Sequence, residues 1–243
     1  MIFRNFLFYL GLIPATIFFA ILGTIFCFLP FKQRYYLITR WSYFFIFWAK
    51  TTCGLRYTVQ NPEKIPTENG IVFCNHQSMW ETIFMQVLLP SQAWVLKKEL
   101  LKIPFFGWGL ALLRPIAIDR KDFNSVKALI QQGTHILQEK RWVIIFPEGT
   151  RVAPNVIHRY SRSGAALAEA TGFPVLPIAH NAGLFWPRGF WIKQSGTIHI
   201  AIGPTIDTHQ KTATEINTLA ETWIRQTVAE LNHTQEFNHA IKQ

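Results

Sequence analysis

A chain of 243 residues with a formal net charge of +10 at pH 7 holds one sizeable α/β domain plus an appendage, and is too short for two ordinary large domains. The basic excess favours an anionic partner. Because Lys and Arg flank apolar aromatic segments rather than forming a dense polar patch, membrane lipid is expected as that partner and nucleic acid is not. The cysteines Cys27, Cys53 and Cys74 show no C-x-x-C spacing, which argues against a disulfide framework and fits a reducing compartment.

From Phe6 to Leu29 the sequence carries no charge, and as a helix it extends roughly 36 Å at about 1.5 Å per residue, enough to cross a bilayer. Its length and the lack of an A-x-A-like site after it argue against a cleaved secretory signal. Residues 35–50, YYLITRWSYFFIFWAK, mix Tyr and Trp with Phe as segments at headgroup level do. The rival reading is a buried helix of the globular domain. The two segments are expected to form a transmembrane hairpin or a monotopic anchor in one leaflet, making residues 1–53 a membrane element and 54–243 an α/β domain. Lys32, Arg34, Arg40 and Lys50 outnumber Arg4, so the positive-inside tendency places the rest of the chain on the cytoplasmic face.

Beyond residue 53, short apolar runs bounded by turn residues predict strands at Arg56 to Gln60, Gly70 to Cys74, Ala93 to Lys97, Pro115 to Ile118, Trp142 to Phe146, Pro174 to Ala179 and Thr197 to Ile202. Helical stripes fall between or after them: Phe123, Val126, Leu129, Ile130, Gly133, Ile136 and Leu137, then Ile216, Leu219, Ala220, Trp223, Ile224, Val228 and Leu231. Both are expected to face the core. Alternation of this kind predicts a mixed, largely parallel sheet with helices on both faces, and ligands in such sheets bind beyond the carboxyl ends of strands.

The strand at 70–74 opens into CNHQSMWE. Ser78 and Glu81 fit a capping box, with Ser78 accepting from the Glu81 N–H and Glu81 reaching back to the Ser78 N–H, so a helix is expected to start near Met79 and stop before Pro90. Capping does not account for His76. With His76 in the loop and Glu81 in the first helical turn the two can meet, which is the pairing of a general base with its orienting carboxylate. Cys74 beside them is expected to be a small buried filler. Three further strand ends carry charge: Lys97 and Lys98; Asp119 and Arg120; and Glu148, Gly149, Thr150 and Arg151. Each alone has a bland explanation as a solvated side chain or a turn. Together they predict a basic, phosphate-binding pocket beside a base.

In order, Asn75-His76-Gln77-Ser78-x-x-Glu81, PFFG with IAIDR, FPEGTR and VLPI resemble the 1-acyl-sn-glycerol-3-phosphate acyltransferases of the glycerolipid acyltransferase family. The resemblance covers roughly residues 50–205. It implies that His76 is the general base and Glu81 its partner, where relatives more commonly have Asp. It further implies that Arg151, Arg120 and Lys97 hold the glycerol phosphate, and that Asn75, Ser78, Glu148, Gly149, Thr150 and Pro177 shape the motifs. Lysophosphatidic acid is then the acceptor and acyl-CoA or an acyl carrier protein brings the acyl group, with no cofactor and no metal. The localisation implied is membrane-associated, at a bacterial inner membrane. Backbone N–H groups near the start of the Met79 helix are candidate oxyanion donors. The rivals are a lipid hydrolase using Ser78, disfavoured by the lack of a G-x-S-x-G elbow, and an anionic-lipid-binding protein, which has no need of His76.

Overall fold

The structure is a computed structural model that describes residues 1–119, 122, 124–192 and 194–240, with the side chains of 234–240 outside that description. Two long helices come first, α1 (Ile2–Ile25) and α2 (Phe31–Cys53). The first begins four residues before the uncharged run and stops four residues short of its end, so Arg4 lies within α1. Gly54 closes α2 with φ of 71°, a left-handed conformation that glycine adopts without the Cβ penalty.

The α/β part follows as β1 (Leu55–Gln60), β2 (Ile71–Cys74), α3 (Trp80–Leu88), β3 (Gln92–Lys97), α4 (Phe106–Leu112), β4 (Ile116–Ile118), α5 (Ser125–Gln138), β5 (Trp142–Ile145), α6 (Ser163–Thr171), β6 (Val175–His180), β7 (Gly196–Ile202) and α7 (Ala213–Ala240). Among the described residues the sheet has seven strands in the order β1-β7-β6-β2-β5-β3-β4, one for each expected strand. Strands β2 to β6 run parallel to one another, β7 is antiparallel to β6, and β1 is parallel to β7. The carboxyl ends of β2, β3, β4, β5 and β6 therefore share one edge of the sheet.

Alternation along the strands divides the core. Val72 and Cys74 of β2 point to a cluster built with α1, α2 and α3, whereas Ile71 and Phe73 point to one built with α5, α6 and α7. Helices thus cover both faces. The stripe on α7 buries Ile216, Ala220, Ile224 and Leu231, but Leu219, at the margin of that arc, is exposed, as is Val126 in the first turn of α5. Phe123 lies outside the described residues.

Candidate active site

Just past the end of β2, the Asn75 side chain carries the β2–β6 pairing one step further. Its Nδ2 donates to the His180 carbonyl at 2.9 Å, and its Oδ1 accepts from the His180 N–H at 3.0 Å. The chain then leaves the sheet, and the backbone of His76 is taken by the loop after β5. The His76 N–H donates to Glu148 Oε2 at 2.6 Å, and the Val152 N–H donates to the His76 carbonyl at 2.8 Å. Gly149, at φ of 69°, completes the Phe146–Gly149 turn that delivers Glu148; its N–H donates to the Phe146 carbonyl. The Phe146 ring stacks on the imidazole, centroids 4.3 Å apart.

Glu81 enters from the first turn of α3 and is fully buried. Its Oε1 accepts from His76 Nδ1 at 2.8 Å, from the Gln77 N–H at 3.0 Å and from the Ser78 N–H at 2.9 Å. A carboxylate acceptor at Nδ1 puts the proton on that nitrogen and leaves Nε2 with its lone pair. Burial opposes the Glu81 charge, but His180, His76 and the Ser78 N–H more than offset it and hold the carboxyl below its ordinary range. Glu148 stands in contrast. Burial, with the Glu81 charge adding to it against the pull of the His76 N–H, pushes its carboxyl up to about 7.

The expected capping box is half present. Glu81 reaches back to the Ser78 N–H as anticipated, but Ser78 Oγ accepts from the Trp80 N–H at 3.2 Å instead of from Glu81. Ser78 is buried and so engaged, a position that does not suit a hydrolase nucleophile. The Gln77 and Ser78 N–H groups are likewise committed to Glu81 and are not free to hold an oxyanion. Cys74 is buried, and burial pushes its thiol well up, so it is filler as expected.

Two contributors escaped the sequence. Phe146 reads only as the end of a predicted strand, and His180 only as the residue after another. Fully buried behind Glu81, His180 donates from Nε2 to the Asn75 carbonyl at 2.7 Å and accepts at Nδ1 from the Ala182 N–H at 3.1 Å. Burial holds it below the ordinary histidine value against the pull of Glu81. His180 Nε2 stands 3.9 Å from Glu81 Oε2, which has no hydrogen-bond partner among the described residues. The available signal was position, since His180 ends a strand whose six residues are all buried.

Of the expected phosphate ligands, exposed Lys97 ends β3 and half-buried Arg151 follows β5, on the same sheet edge as His76. Arg120 lies outside the described residues. Thr150 is exposed between Gly149 and Arg151. Pro177 sits in β6 one residue before the β7 ladder begins at Ile178, where a missing N–H is tolerated, and its carbonyl accepts from the Gly203 N–H.

The family model described as Acyltransferase matches residues 56–181. The chain is 43% identical to a 1-acyl-sn-glycerol-3-phosphate acyltransferase of Pseudomonas aeruginosa, over 96% of this chain and 93% of that one. A yeast (Saccharomyces cerevisiae) protein of the same name is 26% identical over 84% of this chain and 69% of its own length. In fold, the chain is similar to the crystal structure of the 1-acyl-sn-glycerophosphate acyltransferase from Thermotoga maritima. The TM-score is 0.81, with 95% of each chain covered and 23% identity.

Proposed function

The chain belongs to the 1-acyl-sn-glycerol-3-phosphate acyltransferases, and from that premise we propose that His76 and Glu81 carry out its reaction by single displacement. The activity is transfer of a fatty acyl group from an acyl thioester to the sn-2 hydroxyl of 1-acyl-sn-glycerol-3-phosphate, giving phosphatidic acid. The observation that carries the assignment is the 2.8 Å contact between His76 Nδ1 and Glu81 Oε1, on a ring whose Nε2 has no partner among the described residues.

His76 Nε2 takes the proton of the sn-2 hydroxyl as that oxygen attacks the thioester carbonyl. The tetrahedral intermediate collapses by breaking the C–S bond, and the imidazolium returns its proton to the departing thiolate. Glu81 fixes the tautomer of the neutral ring and stabilises the imidazolium while it lasts. Arg151, Arg120 and Lys97 hold the phosphate, Arg151 by a forked contact. The acceptor is lysophosphatidic acid, and the donor is acyl-CoA or an acylated carrier protein.

Residues 1–53 hold the enzyme at the membrane. By length and composition α1 alone among the described helices is apolar enough to cross one, and Ile2, Phe3, Phe6, Leu10, Ile13, Ile21 and Ile25 are exposed along it. These side chains suit lipid contact. The opposite side of α1 packs against α2, which favours a helix lying in one leaflet. The catalytic domain then stands on the cytoplasmic face, at the inner membrane of a bacterial cell.

The test is a purified-enzyme assay with lysophosphatidic acid against both donor types, comparing wild type with His76→Ala. Turnover should fall to background while lysophosphatidic acid binding is kept. Retained turnover in His76→Ala would remove the imidazole from the mechanism.

A further inference from the structure

The segment between β6 and β7 is built to present two aromatic rings outward. On one side Trp186 is fully buried, stacked on Phe45 with centroids 5.8 Å apart and edge-on to Phe8 at 5.5 Å. On the other side Ile192 is buried. Between these anchors Phe190 and Trp191 are 77% and 60% exposed, an arrangement that leaves apolar surface in water unless something covers it.

The loop is also tied to the start of α1. Buried Asn5 makes a two-point contact with Ile192, its Nδ2 donating to the carbonyl at 3.0 Å and its Oδ1 accepting the N–H at 2.8 Å. The Tyr9 hydroxyl donates to the Phe190 carbonyl. These bonds make Phe190 and Trp191 continuous with Ile2, Phe3 and Phe6, which are 82%, 70% and 61% exposed. The surroundings carry one sign of charge: Arg4 and Arg188 are exposed, and no Asp or Glu occurs in residues 1–62 or 170–206. Since β7 is antiparallel to β6, the loop lies on the sheet edge that carries His76.

We propose that the 187–192 loop is a second membrane contact, in which Phe190 and Trp191 enter the headgroup region of an anionic bilayer while Arg4 and Arg188 meet its phosphates. This rests on the reading of residues 1–53 as the membrane element. One helix leaves the protein free to roll about the helix axis. A second contact offset from that axis fixes the roll and turns the His76 edge toward the lipid from which a lysolipid acceptor arrives.

The test uses full-length protein diluted from detergent onto vesicles of phosphatidylethanolamine with phosphatidylglycerol. Phe190→Ser/Trp191→Ser should bind about tenfold to a hundredfold more weakly, from the apolar area withheld. It should lose turnover of vesicle-borne lysophosphatidic acid in proportion, keep wild-type turnover of a short-chain, water-soluble acceptor, and melt at the wild-type temperature because both rings are exposed. Brominated lipids should quench wild type more than Trp191→Phe, a comparison needed because the chain has nine tryptophans. Phe3→Ser/Phe6→Ser/Leu10→Ser serves as the control for the helix. If that variant detaches while the loop variant binds and turns over like wild type, the loop inference is overturned and the helix reading stands. If neither detaches, the helix reading fails and takes the loop with it. Unchanged vesicle binding with lost turnover of a carrier-protein donor would make the loop a protein-docking surface and overturn the lipid assignment.

Discussion

Two carboxylates lie within one loop's reach of His76, and their surroundings separate their roles. Glu81 gathers three donors on one oxygen and remains ionised. In Glu81→Gln the amide oxygen can still accept those hydrogen bonds, so the start of α3 survives while the charge proposed to stabilise the imidazolium is gone. The variant should fold, with kcat lowered on the order of 10²-fold or more, the scale of a general-base contribution, and KM little changed. Near-normal kcat would reduce Glu81 to a helix cap. Among the described residues Glu148 has one donor, the His76 N–H, and its carboxyl is raised to about 7. An acid whose folded value is raised keeps its proton when the unfolded chain has lost it, so stability falls as pH rises from about 4.5 to about 7 and stays reduced above. Glu148→Gln removes this titration. The wild-type-minus-variant stability from urea melts should therefore decline across that window by on the order of 3 kcal/mol, about two to three pKa units' worth. A flat difference would show that Glu148 does not titrate there.

The packing of α1 on α2 depends on close approach. A Cβ added at Gly11 would lie 2.5 Å from Trp48 Nε1, while that nitrogen donates to the Phe8 carbonyl at 3.0 Å. Gly11→Leu should push the helices apart and break the indole bond, lowering stability by about 1–3 kcal/mol, the usual cost of overpacking; an unchanged thermal midpoint in detergent would show that the pair can shift freely. Elements such as these were legible because their signals are local. Each strand is a short apolar run with a turn on either side, and α2 ends where Gly54 permits a left-handed turn. Strand order was not legible, because β2 lies between β5 and β6 and nothing within four residues of Val72 encodes partners that far along the chain. The candidate site divides in the same way. His76 and Glu81 are five apart and their meeting follows from one loop and one helical turn, whereas the Asn75–His180 contact joins residues 105 apart and exists only once β2 and β6 are paired.

At the scale of the whole molecule, the N-terminal helices proposed as the membrane element are also a wall of the enzyme's core. Phe8 and Leu12 of α1, and Tyr35, Ile38, Phe45, Ile46, Ala49 and Cys53 of α2, are buried in one cluster with Val72, Trp80, Leu176, Ile178, Trp186 and Ile200. Polar ties cross the same boundary: the Ser42 hydroxyl donates to the Gln86 side-chain oxygen, and the Gln92 N–H donates to the Tyr35 hydroxyl at 3.2 Å. Removing residues 1–53 would uncover the face of Trp186 that now lies on Phe45 and Phe8, together with the sheet surface around Leu176 and Ile178, an apolar expanse that a soluble monomer does not leave in water. A tether attached to an independent domain would give the opposite result, a soluble and folded 54–243. We therefore expect 54–243 to be recovered only as aggregate or in detergent and without a cooperative melt, and the full-length protein in detergent to unfold in one transition followed alike by far-UV and near-UV circular dichroism. A soluble, monomeric 54–243 with a sharp melt would show that the shared cluster is dispensable, and the orientation of the His76 edge would then not be inherited rigidly from the helices.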